Sequence, residues 1–190
     1  MKYITIDPGL ACTTLWVPAM DRSFSITTKN SDKRQRRLMI LMKDLYKLIN
    51  GIKEKTKISL AVIEQYAFAP AATQSLTMCA EAGGVIRMVL ETFNINTVEI
   101  AISTWKSLAM GPKFVKIKKG PEYLEAVEKA YNRKFSTYDI ADAFLMHQAV
   151  KKIIVGDKLS SAQLNLRRLI VGHIQVGSKV LPFADRKEVS

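Results

Sequence analysis

The sequence is poor in the residues that build disulfide frameworks and zinc sites. Its 190 residues include two cysteines, Cys12 and Cys79, and two histidines, His147 and His173. The cysteines lie in separate apolar segments, which predicts small core residues in a reducing compartment. The histidines are isolated, which favours structural or exposed positions over metal ligation. These counts exclude a disulfide-stapled domain and a Cys/His metal module.

Long apolar runs and the common catalytic motifs are also missing. No run is long enough to span a bilayer, and Asp7 interrupts the apolar run at the N-terminus, which argues against a secretion signal. The chain has no Walker A or GxGxxG sequence and no arrangement that suggests a Ser/His/Asp or Cys/His nucleophile. We therefore expect a cytoplasmic protein without membrane contact.

Acidic residues are scarce relative to basic ones. The chain has 29 Lys and Arg against 17 Asp and Glu, a net charge of +12. Such an excess favours a polyanionic partner, which is nucleic acid or, less often, an anionic membrane surface. A basic protein without such a partner is the alternative. The hydrophobic share of 48% predicts a folded domain with a substantial core rather than a disordered chain.

The periodicity of the chain predicts three strands followed by alternating helices and strands. The predicted strands are 2–7, 12–17, 23–28, 58–63 and 97–101, and the predicted helices are 32–53, 73–93, 121–132 and 138–154. Residues 105–120 are marked by Gly, Pro and Lys and predict a loop or a broken helix. This order predicts an α/β fold with a mixed five-stranded sheet flanked by helices. We assign 1–154 to this domain and 155–190 to a basic C-terminal extension, in which 164–171 fit a short amphipathic helix.

Two of the predicted strands end on a carboxylate. Asp7 follows the apolar stretch "KYITI", and Glu64 follows "SLAVI". The ends of central strands in α/β sheets are places where binding sites gather. Each acid could instead cap the next turn, and Asp7-Pro8-Gly9 is a favourable turn sequence.

A second pair of carboxylates lies on one predicted helix. Asp139 and Asp142 are three residues apart, so they share a helix face and lead its apolar stripe. A helical wheel places His147 on the opposite side. Asp139 could belong to a capping box with Ser136. That alternative leaves Asp142 unexplained, because it lies deeper in the helix on the inward face.

Inward carboxylates are costly unless a cation compensates them. Oxygen ligands select hard divalent cations, which favours Mg²⁺ or Mn²⁺. Four such acids on a strongly basic protein indicate phosphodiester hydrolysis, in which two ions can activate water and stabilise the leaving oxygen.

Four motifs in this order resemble those of the RuvC-like Holliday-junction resolvases, within the ribonuclease-H-like superfamily. They are "IDPGLACT", "VIEQYAFA", "WKSLAMG" and "DIADAF". The resemblance implies a ribonuclease-H-like sheet and a homodimer that binds a four-way DNA junction and nicks two strands symmetrically. It also implies two Mg²⁺ ions, for which Mn²⁺ can substitute, with Asp7 bridging both. The implied ligands and catalytic residues are Asp7, Glu64, Asp139 and Asp142.

The chain departs from the family pattern at two positions. Thr14 stands where the family usually has Gly, and Gly83 stands where an Arg is common in the long helix. These departures and the basic extension predict a divergent member carried by a phage or mobile element. A phage-encoded protein of this kind would act in the cytoplasm of its host.

Several residues are predicted to contact DNA. Five lysines favour phosphate contacts, although a solvated basic loop is the alternative; they are Lys106, Lys113, Lys116, Lys118 and Lys119. The resemblance implies an aromatic that stacks on an unpaired base, with Tyr66 and Phe68 as candidates, although Phe68 could also fill a core or dimer surface. The basic run 33–37 is predicted to lie on a solvated outer face.

Two other functions remain open from the sequence. One is a ribonuclease-H-like nuclease that acts on other branched DNA or on RNA. The other is a non-catalytic junction-binding protein, although a pure binding protein has no need of inward acids.

Overall fold

A five-stranded mixed sheet forms the centre of the computed structural model, which describes residues 2–65, 73–156 and 159–176. The strands are β1 Tyr3–Asp7, β2 Cys12–Val17, β3 Arg22–Thr27, β4 Leu60–Gln65 and β5 Asn96–Ala101. Their order in the sheet is β3-β2-β1-β4-β5. The first three strands form an antiparallel meander, and β4 and β5 run parallel to β1. The predicted mixed five-stranded sheet is confirmed.

Within the described residues, six α-helices flank the sheet. They are α1 Arg34–Lys55, α2 Thr73–Thr92, α3 Ile102–Met110, α4 Pro121–Tyr131, α5 Tyr138–Val155 and α6 Ser161–Val176. The segment predicted as a loop or broken helix is a broken helix: α3 ends at Gly111, and a 3₁₀ helix follows at Pro112–Lys116. Gly111 has a φ of 94°, a conformation that side-chain-bearing residues rarely adopt, so it separates the two helices.

Each face of the sheet carries its own core. Tyr3 and Val62 point to the face covered by α3, α4 and α5, whereas Ile4 and Ile63 point to the face covered by α1 and α2. The Thr5 hydroxyl donates to the carbonyl of Ala143 in α5 at 2.7 Å, which fixes α5 over β1. Because side chains alternate along a strand, the next residues on the α5 side are the last ones of β1 and β4.

Helix α6 lies in the predicted C-terminal extension and packs against α5, β4 and β5. Ile170 of α6 is fully buried in the same core as α5. The predicted short helix at 164–171 is therefore the middle of a longer one. No helix within the described ranges combines the length and the apolarity that a membrane crossing needs.

His147 is buried, so the wheel-based expectation that it lies on the outer side of α5 was wrong. Its side chain is 8% exposed, and its Nδ1 is 2.9 Å from the Tyr3 hydroxyl. The ring also packs beside Trp16 and Phe144. Burial lowers the pKa of His147 to about 4. The single-stripe assumption failed because α5 packs against α3 as well as against β1 and β2.

The basic run 33–37 is only partly solvated, which corrects a second expectation. Arg37 is 9% exposed, and its Nε donates to the Thr28 hydroxyl at 2.9 Å. Arg34 pairs with Glu81 of α2 at 2.5 Å. The basic side chains of Arg34 and Arg37 therefore hold α1 to its neighbours.

Candidate active site

The parallel pairing of β1 and β4 brings Asp7 and Glu64 side by side. Ile6 is paired with Ile63, and each acid is the next residue along its strand. Both acids continue the row of side chains on the α5 face. The sheet register therefore delivers two neighbouring carboxylates to the C-terminal edge.

The start of α5 brings the second pair to the same edge. Thr137 caps this helix, since its Oγ1 accepts a hydrogen bond from the Ile140 amide at 3.3 Å. The cap is one residue later than the capping-box alternative requires, so Ser136 is not the cap. The Asp142 side chain is only 3% exposed, whereas that of Asp139 is 36% exposed.

The four carboxylates interact electrostatically. Burial raises the pKa of Asp7 well above its usual range, and the charges of Glu64, Asp142 and Asp139 add to the rise. Burial, followed by the charge of Asp142, raises the pKa of Glu64 to about 7. The structure thus brings together all four acids that the sequence singled out, in a region that favours added positive charge.

Two buried aromatic residues orient these acids. The Trp105 indole Nε1 donates to Glu64 Oε2 at 3.1 Å, and the Tyr123 hydroxyl donates to Asp142 Oδ1. Both rings are fully buried. Neither residue was among the site residues predicted from the sequence. Trp105 opens the "WKSLAMG" motif, which was a usable signal, whereas Tyr123 shows only the buried-face periodicity of α4.

Lys119 is the predicted DNA-binding lysine that lies closest to the acids. Its Nζ is 2.8 Å from Asp142 Oδ2 and 3.3 Å from Asp139 Oδ1. These neighbouring negative charges raise the pKa of Lys119 against the opposing effect of its burial.

Lys106 lies apart from the exposed basic segment that was predicted to contain it. It belongs to α3, is 8% exposed, and its Nζ lies over the rings of Trp105 and Tyr123 at 5.5 and 5.0 Å from their centroids. Its charge counteracts the rise in the pKa of Glu64. Lys106 therefore supports the orienting aromatics from inside the fold.

The remaining predicted DNA contacts fall into two groups. Lys113, Lys116 and Lys118 are exposed on the segment between α3 and α4. Tyr66 and Phe68 lie outside the described residues.

Both cysteines border the acids, which corrects their assignment to the core. Cys12 and Cys79 are partly exposed. The pKa of the Cys12 thiol is raised mainly by burial, with a further contribution from Asp139. The pKa of the Cys79 thiol is raised by burial and then by Asp7 and Glu64. The apolar sequence context failed here because β2 begins, and α2 passes, at the edge where the acids gather.

A tight turn follows Asp7. The Thr13 hydroxyl donates to the Gly9 carbonyl at 2.7 Å and accepts from the Gly9 amide at 3.3 Å. A β-carbon at Gly9 would lie 2.6 Å from the carbonyl oxygen of Cys12, so a larger residue cannot fit without movement of the backbone. Glycine is therefore needed to fold the chain back into β2 beside the acid.

The donor chemistry of this edge fits hard divalent cations. All four acids offer oxygen ligands, and their charges repel each other at close range. As the side chains stand in the described ranges, no three His, Cys, Asp or Glu residues are arranged to coordinate one ion. Adjustment of the side chains, including Lys119, would therefore accompany metal binding.

Known structures share this architecture. Thermus thermophilus RuvC in complex with a Holliday junction substrate superposes with a TM-score of 0.60 at 11% identity, covering 78% of this chain and 92% of that one. The chain has the RuvC fold. A second Thermus thermophilus RuvC structure gives a TM-score of 0.57 at 11% identity, covering 90% of this chain and 97% of RuvC. The yeast mitochondrial Holliday junction resolvase Ydc2 gives a lower TM-score of 0.43 at 12% identity, covering 95% of this chain and 84% of Ydc2.

Comparison of sequences does not detect the similarity to RuvC. No protein-family model matches the chain, and no curated protein matches it significantly. At 11% identity to RuvC, what is shared is the fold, and the function has to be argued from the site.

Proposed function

We propose that this chain is a metal-dependent endonuclease that resolves four-way DNA junctions as a homodimer. The observation that carries the proposal is the cluster of Asp7, Glu64, Asp139 and Asp142 at the C-terminal edge of a RuvC-like sheet. The net charge of +12 supports a polyanionic substrate. A buried cluster of acids in such a basic protein has a direct use in hydrolysing a phosphodiester and none in merely binding it.

The four acids are the proposed ligands of the metal ions, which we expect to be two Mg²⁺, with Mn²⁺ as a substitute. When bound, such ions activate water and stabilise the leaving oxygen. Trp105 and Tyr123 hold one oxygen each of Glu64 and Asp142, so these carboxylates keep their orientation before an ion arrives. The exposed lysines between α3 and α4 supply phosphate contacts beside the cluster.

The proposed dimer surface is an open apolar groove of about 1280 Å³ between α1 and α2. Its lining includes Met39 and Met88, each 65% exposed, and Tyr46, 50% exposed. Exposed apolar side chains gathered in one groove are typical of an interface. The groove lies on the face of the sheet opposite α5, so a partner there leaves the acids uncovered.

One acidic side chain in the groove gives a second copy of the chain a polar point of contact. The α1 wall carries Arg36, Lys43 and Lys47, whereas the α2 wall carries Glu91 and Arg87, and Arg87 is already paired with Glu99 of β5. A two-fold axis that sets α1 of one subunit against α2 of the other would bring Glu91 opposite the basic α1 wall. Symmetric nicking of a junction also needs two active sites, which a dimer would supply.

A cleavage assay tests the proposed activity. Purified protein is incubated with Mg²⁺ and labelled substrates: a four-way junction, a flap, a linear duplex and an RNA–DNA hybrid. We expect paired symmetric nicks in the junction and little cleavage of the duplex. Asp142→Asn should reduce the rate by more than ~100-fold, since a change in the groups that merely orient ligands already costs about 10–100-fold.

Asp44→Asn is the matched control, because Asp44 is an exposed acid of α1 away from the cluster. It should cleave like the wild type. Preferential cleavage of the flap or the hybrid would show that the four-way junction is not the preferred substrate. Junction binding without metal-dependent cleavage would favour the non-catalytic alternative.

Light scattering tests the dimer surface. The double variant Met39→Asp/Met88→Asp should be monomeric where the wild type is dimeric, because charges would be buried in the groove. Leu169→Asp is the control, since Leu169 is 54% exposed on α6, away from the groove. A dimer that survives in the double variant would place the interface elsewhere.

A further inference from the structure

Lys119 is bound within the acid cluster rather than free for a phosphate. Its Nζ contacts Oδ2 of Asp142 and Oδ1 of Asp139, while Tyr123 takes the other oxygen of Asp142. Across the described residues, Lys119 is the only Lys, Arg or His in an ion pair with any of the four acids. One ammonium group therefore joins the two aspartates of α5.

The two sides of this contact differ in exposure and in support from neighbouring side chains. Asp142 is 3% exposed and held by Tyr123, whereas the Lys119 side chain is 46% exposed. Lys119 lies in the segment that connects the 3₁₀ helix Pro112–Lys116 to α4. A lysine on a flexible four-carbon stem can leave such a contact without disturbing the helices. The carboxylate is thus the fixed partner and the ammonium group the movable one.

We propose that Lys119 is an internal counter-cation that neutralises Asp139 and Asp142 in the metal-free protein and is displaced when a divalent ion binds. The ammonium group and the ion compete for the same carboxylate oxygens, so Lys119 lowers the metal affinity of the free protein. In return, it limits the repulsion among the acids while they carry no metal. This inference rests on the proposed function, because it requires that the acids bind metal.

Calorimetric titration with Mn²⁺, in the absence of DNA, tests the competition. Lys119→Met keeps the apolar stem and removes the charge. It should bind Mn²⁺ about fivefold or more tightly, because the ion no longer has to break the ion pair between Lys119 and the aspartates, which contributes roughly 1 kcal/mol. Lys118→Met is the matched control, since Lys118 is the exposed neighbouring lysine and forms no ion pair with the acids. It should change the affinity by less than about twofold.

Two further variants separate the possible failures. Lys119→Arg keeps the charge and should bind Mn²⁺ about as weakly as the wild type. Asp7→Asn should lose most of the binding. If the wild type binds Mn²⁺ through Asp7 but Lys119→Met binds equally or more weakly, the role of Lys119 is refuted and the metal site stands.

Other outcomes are equally decisive. If Lys118→Met binds Mn²⁺ as tightly as Lys119→Met, the change in affinity comes from net charge alone and a specific displacement of Lys119 is refuted. Loss of thermal stability in Lys119→Met without tighter Mn²⁺ binding would make Lys119 purely structural. Absence of Mn²⁺ binding in all of these proteins would refute the proposed function and this inference together.

Discussion

Replacing Tyr123 with Phe removes one hydroxyl from the support of the acid cluster. The ring is fully buried, and its hydroxyl donates to Asp142, whose side chain is 3% exposed. Phenylalanine keeps the packing against Phe114 and Tyr138. A hydrogen bond to a charged group contributes about 1.5–3 kcal/mol, so we expect the free energy of unfolding to fall by that amount. For a chain of this size each kcal/mol corresponds to about 2–4 °C in Tm.

Urea unfolding of the metal-free protein at pH 8 measures this change, and Tyr131→Phe provides its control. The Tyr131 hydroxyl donates to the neutral carbonyl of Ala109 at 2.8 Å, so its loss should cost only about 0.5–1.5 kcal/mol. The difference between the stability losses of Tyr123→Phe and Tyr131→Phe measures the effect of the charged acceptor. We also expect weaker Mn²⁺ binding in Tyr123→Phe alone. If both variants lose the same stability, Tyr123 does not support a buried carboxylate and the reasoning fails.

Two further predictions concern the edge of the sheet. The pKa of Glu64 is about 7 in the fold against an ordinary 4.5, so the folded state binds this proton more tightly and loses stability as the pH rises through that window. Without metal, Glu64→Gln should therefore gain stability over the wild type at pH 8 but little at pH 4.5; a pH-independent difference in urea unfolding would contradict this. Gly9→Ala should abolish most junction cleavage while leaving a folded protein, because a β-carbon there meets the Cys12 carbonyl and shifts the turn after Asp7; unchanged cleavage would show that this turn does not position the acid.

Much of the fold was predictable because its signals are local. Alternation and β-branched residues mark β1 and β4, and the acids that end them stand at fixed positions in those patterns. The helical spacing of Asp139 and Asp142 likewise needs only the period of α5. Strand order follows from the meander and the parallel crossovers, so the meeting of the four acids could be inferred before their contacts were known.

The supporting contacts were not predictable because they join distant segments. Trp105 reaches Glu64 across 41 residues and Tyr123 reaches Asp142 across 19, and neither pair has a common local pattern. Lys119 was recognised as basic, but its pairing with two aspartates depends on where the segment before α4 is placed. His147 was misassigned for a related reason, since one periodic stripe cannot describe a helix that is covered on more than one side.

The central claim is that the four acids form a divalent-metal site. Diffraction from crystals soaked in Mn²⁺, recorded near the manganese absorption edge, tests it most directly. We expect anomalous density for two ions among Asp7, Glu64, Asp139 and Asp142, with Lys119 moved away from Asp142, and no such density in crystals of Asp7→Asn. Crystals of the wild type that bind no Mn²⁺ at this edge, with Lys119 still paired to Asp142, would contradict the account.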